Sequence, residues 1–410
     1  MSLTRMGRGG AAPEGFSDLP PAGIPAPDAP QLVAFGFDDN AYSGYPESGD
    51  AGGFLFVLDV FGSRRNPAGK GNPATFDGLP AKATFFMKGD NIAPGSPERG
   101  DLVKRAWREA LERGHEIGAH TYTHPHGIEA DRTRRPAVRR ERLSKDDWKS
   151  EIELCLDRLT RPWDPSAGRD DDRSGIGADR AAIRGFRTPY LEYGTGTFEA
   201  LEELGFRYDA SVEEGWQPDR DGSNYIWPYA LGRGSPGDAY VAESVFGMDA
   251  PIVGRHPGLY EMPVYPLVAP PDELCGRYGT RRGLRARLKA EVPAFDEGQG
   301  KVTGLDWNIW FQYFMSAEDS LAVLEHSFDL RYEGNRCPLL LGTHADIYSD
   351  RYERDDLEGE DPARLRVTPS ERRGVLEAFF DYVLAHRDAR VAPFRDVLGW
   401  LERPAALGAR

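Results

Sequence analysis

Four times in this 410-residue chain, a short apolar or β-like run stops at a residue able to do chemistry. Leu32–Phe37 ends in Asp38 and Asp39, and Glu116–Ala119 ends in His120, with His124 four residues on. Gly185–Phe186 leads into Arg187-Thr188-Pro189-Tyr190, and Pro338–Thr343 ends in His344. In a parallel β/α barrel the loops at the C-terminal strand ends converge on one mouth, so functional groups gather there. Helical patterns alternate with these runs, which is the signature of βα units. The expected fold is α/β: a distorted or incomplete (β/α) barrel with long inserted loops.

Along the chain, residues 1–30 are rich in Gly, Ala and Pro and read as a flexible lead-in. Residues 31–403 read as one catalytic domain. Asp101–Arg113 is expected to be a helix with Asp101 as its N-cap. Ser144 opens a clearer one, with Asp147 three residues on and Trp148, Ile152, Cys155, Leu156 and Leu159 along one face. Arg373–His386 is a late helix with a start at Thr368 or Ser370. The irregular stretches 40–80, 125–143, 164–182 and 213–258 read as insertions that shape access to the mouth.

Composition excludes several classes. A net charge of −15 opposes nucleic acid, whose phosphates would be repelled. No run approaches the roughly 18 apolar residues of a transmembrane helix. Cys155, Cys275 and Cys337 are far apart, so neither a thiolate zinc site nor a disulfide framework is expected. The first thirty residues lack the apolar core of a signal peptide as written. His115 stands five residues before His120, which excludes the H-E-x-x-H protease spacing, and neither a G-x-S-x-G elbow nor a P-loop lysine pattern occurs.

His120 and His124 at i, i+4 can meet one cation, and a carboxylate completes a two-His, one-Asp set with an open position for water. A metal there lowers the pKa of water to about 7 and polarises a carbonyl. Of the neighbours Asp38 and Asp39, one serves naturally as ligand and the other as general base.

These segments resemble the motifs of the polysaccharide deacetylases (NodB-like, carbohydrate esterase family 4). The first motif appears as Gly36-Phe37-Asp38-Asp39-Asn40, with Gly36 and Asn40 replacing the usual Thr and Gly. The second is His120-Thr121-Tyr122-Thr123-His124, the third Arg187 through Tyr190, and the fifth Leu341-Gly342-Thr343-His344. The fourth, which contains an Asp, is matched to Asp209, with Trp216 or Trp227 as sugar-facing aromatics alongside Tyr190. The resemblance implies that Asp39, His120 and His124 hold a divalent metal, zinc before cobalt or manganese. It implies Asp38 as base, paired with Arg187, and His344 as acid, paired with Asp209. The Tyr190 N–H would stabilise the oxyanion. The implied substrate is an N-acetylated, GlcNAc-containing glycan or oligosaccharide such as chitin, chitooligosaccharide, peptidoglycan or exopolysaccharide, and the implied products are acetate and a free amine. That substrate class suggests a secreted or periplasmic protein. Competing readings are a metal-dependent amidase or imidase acting on a non-sugar substrate, and a glycan-binding protein that kept the fold and lost catalysis.

Overall fold

The computed structural model describes residues 12–96, 98–131, 136–352 and 364–408. Its main sheet has nine strands: β1 Gln31–Asp38, β2 Thr84–Met87, β3 Glu116–Ala119, β4 Gly185–Phe186, β5 Tyr208–Asp209, β6 Tyr229–Ala230, β7 Tyr260–Glu261, β8 Leu339–His344 and β9 Ala389–Val391. Their order is β8-β1-β2-β3-β4-β5-β7-β6, with β9 alongside the first half of β1. Every pairing is parallel except β6 on β7. Past β8, Leu305 bridges Gly342 in parallel, which carries the curl one segment further. The sheet is a curled, incomplete barrel wrapped by helices, as the alternation of apolar runs and helical patterns implies.

The period of two along each strand sorts side chains between two cores. Val33, Phe35 and Phe37 face the larger core under the outer helices, whereas Leu32 and Ala34 face the smaller barrel interior. In β2, Phe85 faces out and Phe86 in; in β8, Leu341 faces out and Leu340 in. The same alternation assigns Asp38 and His344 to the inner face at the strand ends. At the opposite end, helix Phe394–Glu402 plugs the barrel: the Phe394 N–H donates to Thr84 and the Arg395 N–H to Glu116, the first residues of β2 and β3.

The helices follow their local signals. Lys145–Thr160 starts at Ser144 with a full capping box to Asp147, and Pro369–Ala385 starts at Thr368 with one to Glu371. Asp101 is not an N-cap: the helix spans Gly100–Glu112, and Asp101 lies in its first turn, where a carboxylate complements the helix dipole. Three of the four insertions carry an α-helix or a hairpin, namely helix Gly53–Gly62, the hairpin Ile128–Asp131 with Val138–Glu141, and helix Pro236–Ser244. Residues 1–11 of the expected lead-in lie outside the described residues. The remainder packs down: Phe16 meets Tyr229 edge-on at 5.0 Å, and Asn335 donates to the Asp18 carbonyl.

Trp107, fully buried in helix Gly100–Glu112, donates its indole N–H to the Asn40 carbonyl at 2.9 Å. Trp107→Ala is expected to cost about 3–5 kcal/mol through the cavity it leaves. Denaturant unfolding measures this, and a loss under about 1 kcal/mol would show that the site does not depend on that packing.

Candidate active site

The mouth at the C-terminal strand ends is a cleft lined by Asp38, Asp39, His120, His124, Tyr190 and His344, among others. Backbone conformation there is unusual. Asp39, Asn40, Thr121, His124, Tyr190 and Leu191 all have positive φ between 55° and 67°. A non-glycine residue in this region costs about 1–3 kcal/mol and persists only where its surroundings enforce it. Asn40 tolerates it best, and its amide also ties β1 to β2 by donating to the Phe37 and Phe86 carbonyls.

Asp38 is buried, and Arg187 donates to its Oδ1 at 2.9 Å. The guanidinium also donates to the Ala210 carbonyl at 2.8 Å and lies over the Phe86 ring at 4.6 Å. Gly36 makes room for this crossing, since a Cβ there would stand 2.9 Å from Phe86 and 3.1 Å from the guanidinium. Burial pushes the Asp38 carboxyl up to about 6 and outweighs the pull of Arg187 and His344.

Asp39 Oδ1 lies 3.6 Å from His120 Nε2 and 3.5 Å from His124 Nε2. Burial opposes its ionisation, but His124, His120, His344 and Lys88 hold it down at about 2. Burial lowers both imidazoles, His120 to about 3, so they are neutral at neutral pH. His120 Nδ1 sits 2.8 Å from the Arg187 carbonyl. A carbonyl only accepts, so Nδ1 carries the proton and the Nε2 lone pair faces Asp39.

His344 Nδ1 meets Asp306 Oδ1 at 2.7 Å, and its N–H donates to Asp306 Oδ2 at 3.0 Å. Burial alone would lower this imidazole. Asp306, with Asp38 and Asp39, overcomes that and raises it to about 10.

These sites lie in a chain whose residues 74–165 match the family model described as polysaccharide deacetylase. That segment is similar to the polysaccharide deacetylases. Among curated proteins it is similar to chitin deacetylase 1 of Bombyx mori, at 23% identity over 390 residues. That alignment covers 94% of this chain and 53% of the silkworm protein, so the chain spans about half the length of that relative. Among solved structures, a Mycobacterium smegmatis protein assigned as a polysaccharide deacetylase aligns over 94% of both chains, with 16% identity and a TM-score of 0.47. The chitin deacetylase of Colletotrichum lindemuthianum aligns over 58% of this chain and 74% of its own, with 18% identity and a TM-score of 0.27.

Within the cleft the structure brings together Asp38 with Arg187, and Asp39 with His120 and His124. Tyr190 stands at the rim, 47% exposed, with its ring against His124 and stacked on His126. Three sequence assignments need correction. Asp209 does not meet His344: it accepts from the Ser211 N–H and Oγ and lies beside Glu261. Tyr208 takes the inward position, against Phe86 and Phe394, so the period of two turns Asp209 away. Trp227 is buried and stacks on Trp400 in the plug at the other end of the barrel. Trp216 is half-buried and donates to Glu213, and neither tryptophan lines the cleft.

The residues taking those places are Asp306 and Trp307, the latter 38% exposed on the cleft wall. Their signal was present: β-like Val302–Leu305 runs into Asp306, as the other runs end in Asp38 and His344. Asp346 also escaped the sequence reading. It accepts from the Ala41 and Tyr42 N–H groups and ties the loop after β1 to the loop after β8.

The cluster of Asp39, His120 and His124 fits a divalent cation. One donor atom from each residue lies within 4.8 Å of the others, and the buried Asp39 Oδ1 has no hydrogen-bond partner. An orphaned carboxylate oxygen facing imidazole nitrogens is a costly arrangement that a borderline cation would satisfy.

Proposed function

We propose that this protein is a divalent-cation-dependent hydrolase that removes N-acetyl groups from a GlcNAc-containing glycan. The observation that carries this reading is the convergence, in one cleft, of the Asp38–Arg187 pair, the Asp39–His120–His124 cluster and the His344–Asp306 pair. Asp39, His120 and His124 would hold the cation, most naturally zinc, although the same donor set suits cobalt or manganese. When bound, the cation supplies Lewis-acid activation of water and of the acyl carbonyl.

The chain's own residues divide the proton work. Asp38, oriented by Arg187, takes the proton from the attacking water. The Tyr190 N–H, presented by a strained left-handed turn, donates to the oxyanion. His344 is kept as imidazolium by Asp306 and gives its proton to the departing amine. The exposed faces of Tyr190 and Trp307 offer stacking surfaces for sugar rings. Polymers of this class lie outside the cytoplasm, so export accompanies the reading.

Acetate release from N-acetylglucosamine oligomers and from acetylated xylan tests the bond assignment. Release from the N-acetylated oligomers is expected. Release from xylan alone would make the substrate bond an ester, and release from neither would favour a non-sugar amide.

Replacing the acid's partner has a signed effect on pH dependence. In Asp306→Asn the amide cannot sustain the imidazolium, so the His344 pKa falls from about 10 towards the ordinary histidine value of about 6.5. The protonated acid then survives only at lower pH, and the alkaline limb of kcat/KM shifts down by more than about one unit. A pH–rate profile measures this; an unmoved alkaline limb would remove Asp306 from the proton path.

A further inference from the structure

We propose that the turn after β2, Lys88–Asn91, is a clip that sets the distance between the two ligand-bearing loops, with the Asn91 amide as its positioning residue. The proposal rests on the reading of Asp39, His120 and His124 as a cation site. β2 lies between β1 and β3 in the sheet, so its C-terminal turn stands between the loop carrying Asp39 and the loop carrying His120 and His124. β2 itself contributes no ligand, which leaves that turn free for a structural task.

The hydrogen bonds fit this task on both sides. Towards Asp39, the Asn91 Nδ2 donates to the Asp39 carbonyl at 2.9 Å, and the Lys88 N–H donates to the same oxygen at 3.4 Å. Towards the histidine loop, the Gly89 N–H donates to the Thr121 carbonyl at 3.0 Å and the Asp90 N–H to the Tyr122 carbonyl at 3.1 Å. Asn91 is 2% exposed, so water does not substitute readily for its amide. Asp39 holds φ at +64°, a strained conformation that needs enforcement from outside the residue. The two donors on its carbonyl supply that by fixing the peptide from which the carboxylate is launched. Glu151 secures the far side of the histidine loop, accepting from the Tyr122 and Thr123 N–H groups at 3.1 and 2.8 Å. Such outer partners set ligand orientation, and losing one lowers metal affinity by about 10–100-fold.

The test is the zinc dissociation constant of the full chain, measured by competition with a chromophoric chelator, for wild type, Asn91→Ala and Asn91→Leu. Leu keeps the side-chain volume and loses the donor, whereas Ala needs no new space and carries the test if the Leu variant misfolds. Both variants are expected to bind zinc about tenfold or more weakly, with chelator-treated protein melting cooperatively as wild type does. Wild-type binding with both variants within about twofold would overturn the clip. Weakening by Ala but not by Leu would overturn the role of the amide and leave only packing. Absence of zinc binding by wild type would instead sink the cation site itself, which separates the two failures.

Discussion

Asp38→Asn is expected to lower kcat by about 10²–10⁴-fold while leaving cation content at the wild-type level. The amide oxygen still accepts from Arg187, which keeps its bonds to the Gly36 and Ala210 carbonyls, so the inner wall of the cleft stays in place. What disappears is the basic oxygen. The wild-type carboxyl is pushed up to about 6 by burial, so the working, ionised form is lost as pH falls through that value. A cation at Asp39 would move this limb to lower pH, because positive charge favours the carboxylate. Wild-type kcat should therefore show an acid limb near or below 6 that the Asn variant lacks. Retained turnover in a metal-loaded Asn variant would mean that another group is the base.

His120→Ala should remove cation and activity together. His120 supplies one of three donors and fixes itself through Nδ1 to the Arg187 carbonyl, so its loss empties a ligand position and leaves a buried acceptor unsatisfied. Zinc affinity is expected to fall by more than the roughly 10–100-fold typical of an outer partner, and acetate release to fall to background. Metal analysis of the purified variant distinguishes it from Asp38→Asn. The base variant is loaded and silent, and the ligand variant is empty and silent. Activity retained by an empty His120→Ala protein would contradict a cation-dependent reaction.

The contrast between the correctly and wrongly placed residues has a physical basis. Asp38, His120, Arg187 and His344 are legible because each ends a strand or directly follows one, and the inner-face alternation needs no knowledge of the neighbours. Pairings across the mouth do need it. Motif order alone pairs Asp209 with His344, yet β5 lies five strands from β8 in the sheet. The bridge between Leu305 and Gly342 puts Asp306 beside His344 instead. That bridge is isolated, and the run before Asp306 is broken by Gly304, so it announced itself weakly. Trp227 and Trp307 look alike in a sequence; only the topology shows that one packs in the plug and the other stands at the cleft. Helix Gly53–Gly62 is hidden in the sequence because glycines bound a segment apolar on nearly every side, with little periodicity to reveal it.

The most direct test of the whole account is acetate release from N-acetylglucosamine oligomers by wild-type protein, before and after chelator treatment and on returning zinc. Release that stops with chelator and recovers with about one equivalent of zinc is the expected result. Release that continues unchanged in protein stripped of metal would contradict the account.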